Sequence, residues 1–368
     1  MSTMQRIAII GVGLIGGSLG LVWKKQRRDL HVTGFDNAHV LKSAQLRGAI
    51  DEQAATLEDA VADADLVVLA TPLRSIVTSL ESIGPHLKDG AIVTDVGSVK
   101  GPVLAHAAAV LPEHVVFVGG HPMAGSERYG IEHADAFLFE NATYVLCLPC
   151  DAAGFTERHP RFIELLQATG ARLLVLDPER HDAIAATISH LPQLLAITLM
   201  NYAAERNNDD DSFLKLAAGG FRDMTRIAAS PFSVWRDILL ANTGPILDVL
   251  AGFVSELQRL RNRIGAEELD DIESVFQSAW SSRESIPRDT KGFLHPLADV
   301  YVYAEDRPGE LLTITRILHE ASLNIKDIEL LKIREGTGGA FRIGFSDSDS
   351  AENAVASLTN TGFTAYRL

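Results

Sequence analysis

A histidine among small residues is the feature of this sequence with the clearest capacity for chemistry. His121 lies in the segment GGHPMAGSE, which follows the apolar strand-like run 115–118 and which we expect to be a loop. A neutral imidazole can accept a proton near pH 7, as an enzyme that oxidises an alcohol requires. A single histidine is more often held by backbone groups in a core or loop, so its role as a base depends on its surroundings.

Those surroundings begin with a glycine-rich motif near the N-terminus. The apolar run 5–10 leads into GVGLIG, and a helix pattern follows to about residue 25. G-x-G-x-x-G between a strand and a helix is typical of dinucleotide binding. Gly11 would permit the tight turn, Gly13 would let the backbone approach a pyrophosphate, and Gly16 would permit close helix–strand packing. The pyrophosphate would meet the helix N-terminus, whose free N–H groups favour an anion.

An acidic residue at the end of the second predicted strand indicates which cofactor is bound. Asp36 should bind the ribose hydroxyls, and its carboxylate would repel a 2′-phosphate. Asn37 and Ala38 offer no arginine to receive such a phosphate. NAD is therefore favoured over NADP. The other predicted cofactor contacts are Leu14, Ile15, Thr71 and Pro72.

Polar residues in two further segments are candidates for substrate binding. Ser98 follows the predicted strand that ends in Asp95, and strand C-termini in open α/β sheets are where ligands bind. His190 and Gln193 form a polar pair within the apolar sequence SHLPQLL.

Arg222 and Arg226 lie close together at a helix start of otherwise small and apolar residues. Such a pair suits bidentate binding of a carboxylate. The alternative is a solvated face in which they pair with Asp223 and Asp237, since exposed ion pairs are common and nearly neutral in energy.

The elements that would position these residues divide the chain into three predicted domains. Short apolar strands alternate with helix-length segments over residues 1–177, which predicts a Rossmann parallel sheet with helices on both faces. Residues 178–286 contain only long amphipathic helix patterns, such as 183–204 and 243–263, and predict a helical substrate and dimerisation domain. Residues 297–368 follow the order βαββαβ, the ferredoxin-like arrangement.

Composition limits the class of protein. The chain has 368 residues, of which 46% are hydrophobic and 22% charged, as expected for an ordinary globular protein. A net charge of −15 argues against nucleic acid or an anionic membrane as partner. We find no signal peptide and no apolar run of membrane-spanning length, which predicts a cytoplasmic protein. The two cysteines, Cys147 and Cys150, cannot complete a zinc site and are interpreted as buried; no metal is expected.

Five motifs together resemble the prephenate/arogenate dehydrogenase family of tyrosine biosynthesis. They are GVGLIGGS, DVGSVK, GGHPMAGSE, SHLP and FRDMTRIA with WRDI behind it, and they extend over residues 5 to about 240. The resemblance implies a Rossmann domain followed by a helical dimerisation domain, NAD as cofactor and a homodimer. The implied reaction is oxidative decarboxylation of prephenate to 4-hydroxyphenylpyruvate and carbon dioxide.

The same resemblance implies roles for individual residues. His121 would bind the C4 hydroxyl of the substrate and take its proton, and Ser98 would hydrogen-bond the same hydroxyl. Arg226 would hold the ring carboxylate, with Arg222 as a further candidate for substrate binding. His190 would line the pocket, and Glu127 would order the loop around it.

One position departs from the family pattern. Many relatives that use prephenate carry a second histidine after SHLP, where this chain has Gln193. The choice between prephenate and arogenate, or activity on both as a cyclohexadienyl dehydrogenase, is therefore open.

Two functions of other kinds also have to be weighed. The first is that of a β-hydroxyacid dehydrogenase, which shares the domain plan and would be expected to place a catalytic lysine on the helical domain. Lys215 lacks the motif of such an enzyme. The second is that of a non-catalytic sensor of NAD and amino acids, and the set His121, Ser98 and Arg226 argues against it.

Residues 298–368 resemble an ACT domain, a module that binds amino acids in many biosynthetic enzymes. The matching features are DRPGEL between the first strand and helix and NIKDI before the second strand. Gly309 at the helix start would let backbone N–H groups meet a carboxylate. The resemblance implies feedback regulation by an amino acid, with tyrosine expected; the alternative is a module that only dimerises.

Overall fold

The computed structural model describes residues 4–124, 129–148, 152–207, 212–286, 297–334 and 338–367. The chain separates into two compact units, Met1–Ser281 and Ser282–Leu368. The first contains a large sheet and the helical region, and the second contains a smaller sheet.

The large sheet has eight strands in the order β3-β2-β1-β4-β5-β6-β7-β8. Their bounds are β1 Arg6–Ile10, β2 His31–Phe35, β3 Glu52–Gln53, β4 Leu66–Leu69, β5 Ile92–Asp95, β6 Val116–Pro122, β7 Thr143–Cys147 and β8 Arg172–Val175. All neighbouring pairs are parallel except β6 and β7, which are antiparallel. The prediction of an entirely parallel sheet is therefore corrected to a mostly parallel one, although the first six strands have the Rossmann order.

Helices cover both faces of this sheet. They are α1 Leu14–Gln26, α2 Ala38–Leu46, α3 Leu57–Val61, α4 Leu73–Ile83, α5 Gly101–Val110, α6 Ala152–Arg158 and α7 Pro160–Gln167. The strands β4 and β5 are buried along their whole length, as expected when both faces of a parallel sheet are covered. Two separate apolar clusters, one on each face, form the core.

The position of His121 differs from the prediction. Strand β6 continues past the apolar run through Gly119 and Gly120, and His121 pairs with Val145 of β7. His121 is therefore held within a strand and not in a loop. The physical reason is tertiary: pairing with β7 supplies backbone hydrogen bonds that the small residues would not specify by their own propensity.

From residue 178 to residue 285 the described elements of the chain are helices. They are α8 Pro178–Ala185, α9 Leu191–Asn207, α10 Ser212–Lys215, α11 Gly219–Thr225, α12 Phe232–Ala241, α13 Thr243–Gly265 and α14 Leu269–Ser285. A single π-helical turn, Ala186–His190, joins α8 to α9. The helix predicted over 183–204 is therefore the end of α8, this turn and most of α9.

The continuous helical stretch Pro178–Asn207 contains an 18-residue window with a mean hydropathy of 1.5 and, by length and composition, could cross a membrane. This differs from the prediction that no apolar run is long enough. The stretch also holds Asp182, His190 and Gln193, which are buried and hydrogen-bonded within the first unit. One helix that passes this test is weak evidence for a membrane span, since core helices of other proteins pass it too; here 33% of the apolar window is buried.

The second unit has the predicted order βαββαβ. Its elements are β9 Ala298–Ala304, α15 Glu310–Glu320, β10 Asp327–Arg334, β11 Gly338–Phe345, α16 Ser348–Asn360 and β12 Thr364–Tyr366. The antiparallel sheet has the order β10-β11-β9-β12. One face packs on the two helices through a cluster that includes Val300, Val302, Ile314 and Leu358.

Candidate active site

The glycine-rich turn has the geometry that dinucleotide binding requires. Gly11 has φ +91°, and a Cβ atom there would lie 2.6 Å from the carbonyl oxygen of Ala70. At Gly16 a Cβ would lie 2.1 Å from the carbonyl oxygen of Gly11, so this position also excludes a side chain. At Gly13, by contrast, a Cβ would meet nothing within 4 Å, and the backbone is open to a ligand.

Asp36 is fixed beside this turn. One carboxylate oxygen accepts a hydrogen bond from the N–H of Val12 at 2.8 Å and the other from that of Asn37 at 2.6 Å. A cleft of about 520 Å³ lies against these residues. Its lining includes Ile10, Gly11, Gly13, Phe35, Asp36, Asn37, Ala70, Thr71 and Pro72.

Two observations fit this cleft to a dinucleotide. The hydroxyl of Thr71 is buried and has no hydrogen-bond partner within the described part of the chain, and a polar group from a ligand would satisfy it. Helix α1 begins directly after Gly13 with no acidic residue in its first turn, which leaves its N-terminus suited to a pyrophosphate. Asp36 would then bind the ribose hydroxyls.

A buried ion pair holds the strand that carries His121. The side chains of Lys100 and Asp95 are fully buried and joined by a short contact. Asp95 also accepts from the N–H of Gly120 at 3.1 Å, and Lys100 donates to the carbonyl oxygen of Gly120 at 2.6 Å. The backbone N–H and the carbonyl oxygen of Gly120, the residue that precedes His121, are therefore both held by hydrogen bonds.

The same carboxylate shapes the segment around Ser98. Asp95 accepts a hydrogen bond from the N–H of Gly97 at 2.8 Å, which turns the chain at the end of β5. Ser98 follows and is half-buried. One carboxylate therefore connects the Ser98 segment to the strand that carries His121.

Behind His121 lies a chain of two further side chains. Its Nδ1 is 2.8 Å from Nε2 of His181, and Nδ1 of His181 is 2.8 Å from a carboxylate oxygen of Asp182. A carboxylate can only accept, so Nδ1 of His181 carries a proton, and a neutral His181 then accepts at Nε2. His121 must then donate from Nδ1, which leaves the lone pair on its Nε2 free to take a proton.

The surroundings keep His121 neutral. Burial disfavours the imidazolium and lowers the pKa of His121 well below its usual value, and the nearby charge of Lys100 lowers this pKa further. His121 is therefore in its proton-accepting form at neutral pH. The pKa and the tautomer of His121 both depend on residues outside the GGHP motif.

His190 is a further buried imidazole of the first unit, and its hydrogen bonds differ from those of His121. Its Nδ1 is 3.2 Å from the side-chain nitrogen of Asn242, which also donates to the carbonyl oxygen of Asp182 at 2.9 Å. Nδ1 therefore accepts and Nε2 carries the proton. That Nε2 is buried without a partner within the described residues. Burial lowers the pKa of His190 to about 4. It is a neutral donor available to a ligand, and Trp235 packs edge-on against its ring at 5.9 Å.

The remaining predicted substrate residues have different surroundings. Gln193 is buried, and its amide donates to the carbonyl oxygen of Ile227 at 3.0 Å, so it holds the backbone next to Arg226. The side chains of Arg226 and Arg222 are exposed. Glu127 lies outside the described residues, as does Cys150, while Cys147 is buried as predicted.

Three important residues were missed by sequence reasoning. His181 and Asp182 were not recognised as site residues, and neither was Asn242. The available signal was a His-Asp pair in the first turns of a helix that begins with Asp177-Pro178, where the Asp177 carboxylate caps the N–H groups of Glu179 and Arg180. Within the described residues, no group of three or more histidine, cysteine or acidic side chains could hold a metal ion.

Two family models match the chain. The nucleotide-binding domain of prephenate dehydrogenase matches residues 19–175, and the dimerisation domain of prephenate dehydrogenase matches residues 177–278. The two matches meet at the start of α8, the helix that carries His181 and Asp182.

Individual relatives agree with these models. A prephenate dehydrogenase of Bacillus subtilis (strain 168) is 36% identical over 352 residues, covering 95% of this chain and 94% of the relative. The crystal structure of A. aeolicus prephenate dehydrogenase with hydroxyphenyl propionate and NAD+ has a TM-score of 0.71 at 29% identity and covers 78% of this chain and 99% of that one. Synechocystis arogenate dehydrogenase has a TM-score of 0.67 at 29% identity, covering 77% of this chain and 100% of that one. This chain belongs to the prephenate dehydrogenase family, whose members are NAD-dependent oxidoreductases.

Proposed function

We propose that this protein catalyses the NAD-dependent oxidative decarboxylation of prephenate to 4-hydroxyphenylpyruvate, with His121 as the general base. The observation that supports this most strongly is the chain from His121 through His181 to Asp182, which leaves Nε2 of His121 as a proton acceptor. The family membership supplies the reaction, and this geometry supplies the group that can perform its proton transfer.

The protein's own groups would act as follows. Nε2 of His121 takes the proton of the substrate's ring hydroxyl, and Ser98 hydrogen-bonds the same oxygen. The bound cofactor supplies a hydride acceptor at the ring carbon that carries this hydroxyl. The resulting ketone withdraws electrons from the carboxylate-bearing carbon opposite, and loss of carbon dioxide makes the ring aromatic.

Substrate carboxylates would be bound by residues of the helical region. Arg226 would bind the ring carboxylate through its planar guanidinium, with Arg222 nearby as a second cation. The contact should position the carboxylate without holding it more tightly in the ground state than in the transition state. The unpartnered Nε2–H of His190 would donate to a further substrate oxygen. Glu127, which lies outside the described residues, would help to order the pocket.

Gln193 is the position most closely connected with the choice of substrate. Its amide group holds the backbone beside Arg226, so it would act on the substrate through this segment. Prephenate is the proposed substrate, because the prephenate dehydrogenase of B. subtilis aligns with 95% of the chain. Arogenate, or both compounds, is the second candidate, supported by the similarity to Synechocystis arogenate dehydrogenase.

A four-way assay tests this proposal. The full chain is mixed with prephenate or arogenate and with NAD or NADP, and absorbance at 340 nm is followed. We expect the highest kcat/KM for prephenate with NAD, because Asp36 would repel a 2′-phosphate. No reduction of NAD with either substrate would contradict the proposed activity. A higher kcat/KM for arogenate would leave the reaction class intact and replace the substrate.

The proposed domain arrangement is a Rossmann domain over 1–177, a helical substrate and dimerisation domain over 178–286, and an ACT domain over 297–368. The ferredoxin-like topology of the last and the positive φ of Gly309 at the start of α15 support an amino-acid site there. Tyrosine, as the end product, is the proposed effector. We also propose a cytoplasmic homodimer, in keeping with the match to a dimerisation domain.

Truncation tests this regulation. Tyrosine inhibits only if it binds one conformational state better than another, or if it competes at the active site as a product analogue. A chain that ends at Pro296 should keep its activity and lose its sensitivity to tyrosine. Unchanged inhibition of the truncated chain would contradict an effector site in the last 72 residues.

A further inference from the structure

If His121 acted alone as the base, the reaction would not require the buried histidine behind it, His181. Its side chain is 3% exposed and lies between His121 and Asp182, whose side chain is 7% exposed. The ring centroids of His121 and His181 are 5.1 Å apart and the ring planes are inclined at 71°, with Nδ1 of His121 2.8 Å from Nε2 of His181. Asp182 is itself fixed, because its two oxygens accept from the backbone N–H groups of Lys100 and Gly101, each at 2.8 Å.

A positive charge is unfavourable on His121 but favourable on His181, the next side chain in the hydrogen-bonded chain. Burial and the nearby ammonium of Lys100 both oppose an imidazolium at His121. The carboxylate of Asp95 is already engaged by Lys100. The carboxylate of Asp182, in contrast, is in direct contact with His181 and would stabilise a cation there.

We propose that His181 and Asp182 form a proton relay with His121, so that the positive charge produced by the reaction ends on His181. As Nε2 of His121 takes the substrate's hydroxyl proton, the proton on its Nδ1 passes to Nε2 of His181. His121 is neutral again after the transfer, and His181 becomes an imidazolium paired with the Asp182 carboxylate. No electrons are exchanged in the relay, since the hydride goes to NAD. This inference rests on the proposed role of His121 as base.

Two substitutions of His181 distinguish a proton relay from a role in which His181 only orients the ring of His121. In His181→Gln the amide oxygen can still accept a hydrogen bond from Nδ1 of His121 but cannot take its proton. In His181→Phe both functions are lost. The relay predicts that kcat falls about 10²-fold in both variants, within the range contributed by acid–base groups. The KM for prephenate and the Kd for NAD should stay close to parental in His181→Gln.

A matched control is available elsewhere in the same unit. His159 is also packed against an aromatic ring, that of Phe155 at 4.6 Å, and has no part in the site. His159→Gln should leave kcat unchanged. If His181→Gln keeps the parental kcat, His181 only orients His121 and the relay is wrong. If His121→Asn keeps the parental kcat, the proposed base itself is wrong, which distinguishes the two failures.

A measurement on the parental protein decides the matter if the variants do not fold. Single-turnover hydride transfer is followed at 340 nm in mixtures of H₂O and D₂O. Two protons in motion predict a curved dependence of the rate on the deuterium fraction, and His181→Gln should make it linear. A linear dependence in the parental protein would overturn the relay.

Discussion

Charged side chains form a network in each of the two compact units, and their surroundings differ. In the first unit Lys100 and Asp95 are fully buried beside the strand that carries His121. In the second unit Arg342 contacts Asp299, Asp327 and Glu329, whose side chains are 22%, 42% and 54% exposed.

The difference indicates which charges take part in chemistry. Because the first network is buried, each of its charges lowers the stability of the fold if its partner is removed. Burial and buried charges also shift the pKa values of neighbouring groups. The second network is partly exposed, so water screens its ion pairs and each pair contributes less to stability. In the first unit burial lowers the pKa values of His121 and His190, as expected near an active site.

Removing Lys100 should have the largest effect on stability. Lys100→Met leaves the Asp95 carboxylate buried and unpaired, which costs about 3–5 kcal/mol. The free energy of unfolding can be measured in urea by tryptophan fluorescence, since the three tryptophans, Trp23, Trp235 and Trp280, all lie in the first unit. The double variant Asp95→Asn/Lys100→Met is the control and should recover much of the loss. Equal destabilisation in the single and double variants would contradict the argument.

Acid should destabilise the first unit through His190. Its pKa is about 4 in the folded protein and about 6.5 when unfolded. The unfolded state therefore binds more protons between these values. The neutral folded group is fully accommodated above pH 6.5, and about 3 kcal/mol of stability is lost as pH falls from 6.5 to 4. His190→Gln should flatten this part of the stability profile, whereas an unchanged slope would show that His190 is not the titrating group.

Substitution of Arg226 tests whether an exposed arginine contributes to substrate binding. Arg226→Ala should leave the free energy of unfolding nearly unchanged but weaken substrate binding by about 1.5–3 kcal/mol, through loss of a charge-assisted contact. The expected result is a raised KM for prephenate, which Arg226→Lys restores only in part because a point charge lacks the planar fork. A parental KM in Arg226→Ala would remove this residue from the binding site.

The smallest effect is expected in the second unit. Arg342→Met removes the cation from a partly exposed cluster and should cost no more than about 1 kcal/mol. Thermal unfolding followed by circular dichroism measures this loss, and the unfolding transition of the first unit, followed by tryptophan fluorescence, should not move. A loss as large as that of Lys100→Met would contradict the contrast between the two networks.

The sequence predicted those features that depend on local backbone chemistry. The roles of Gly11 and Gly16 follow from steric requirements of a single turn, and the βαββαβ order of the second unit follows from alternating patterns. Strand β6 was predicted to end too early because its last residues are extended by pairing with β7. The contact of His121 with His181 joins residues 60 positions apart, and no local pattern encodes such a contact.

The central claim is that His121 is the base of the reaction. The most direct test compares single-turnover reduction of NAD by prephenate in the parental protein and in His121→Asn, together with NAD binding. An asparagine amide can still donate to His181 but has no basic nitrogen to take the hydroxyl proton. The account predicts a fall in rate of roughly 10²–10⁴-fold with NAD affinity unchanged. Reduction of NAD at a rate close to parental would contradict it.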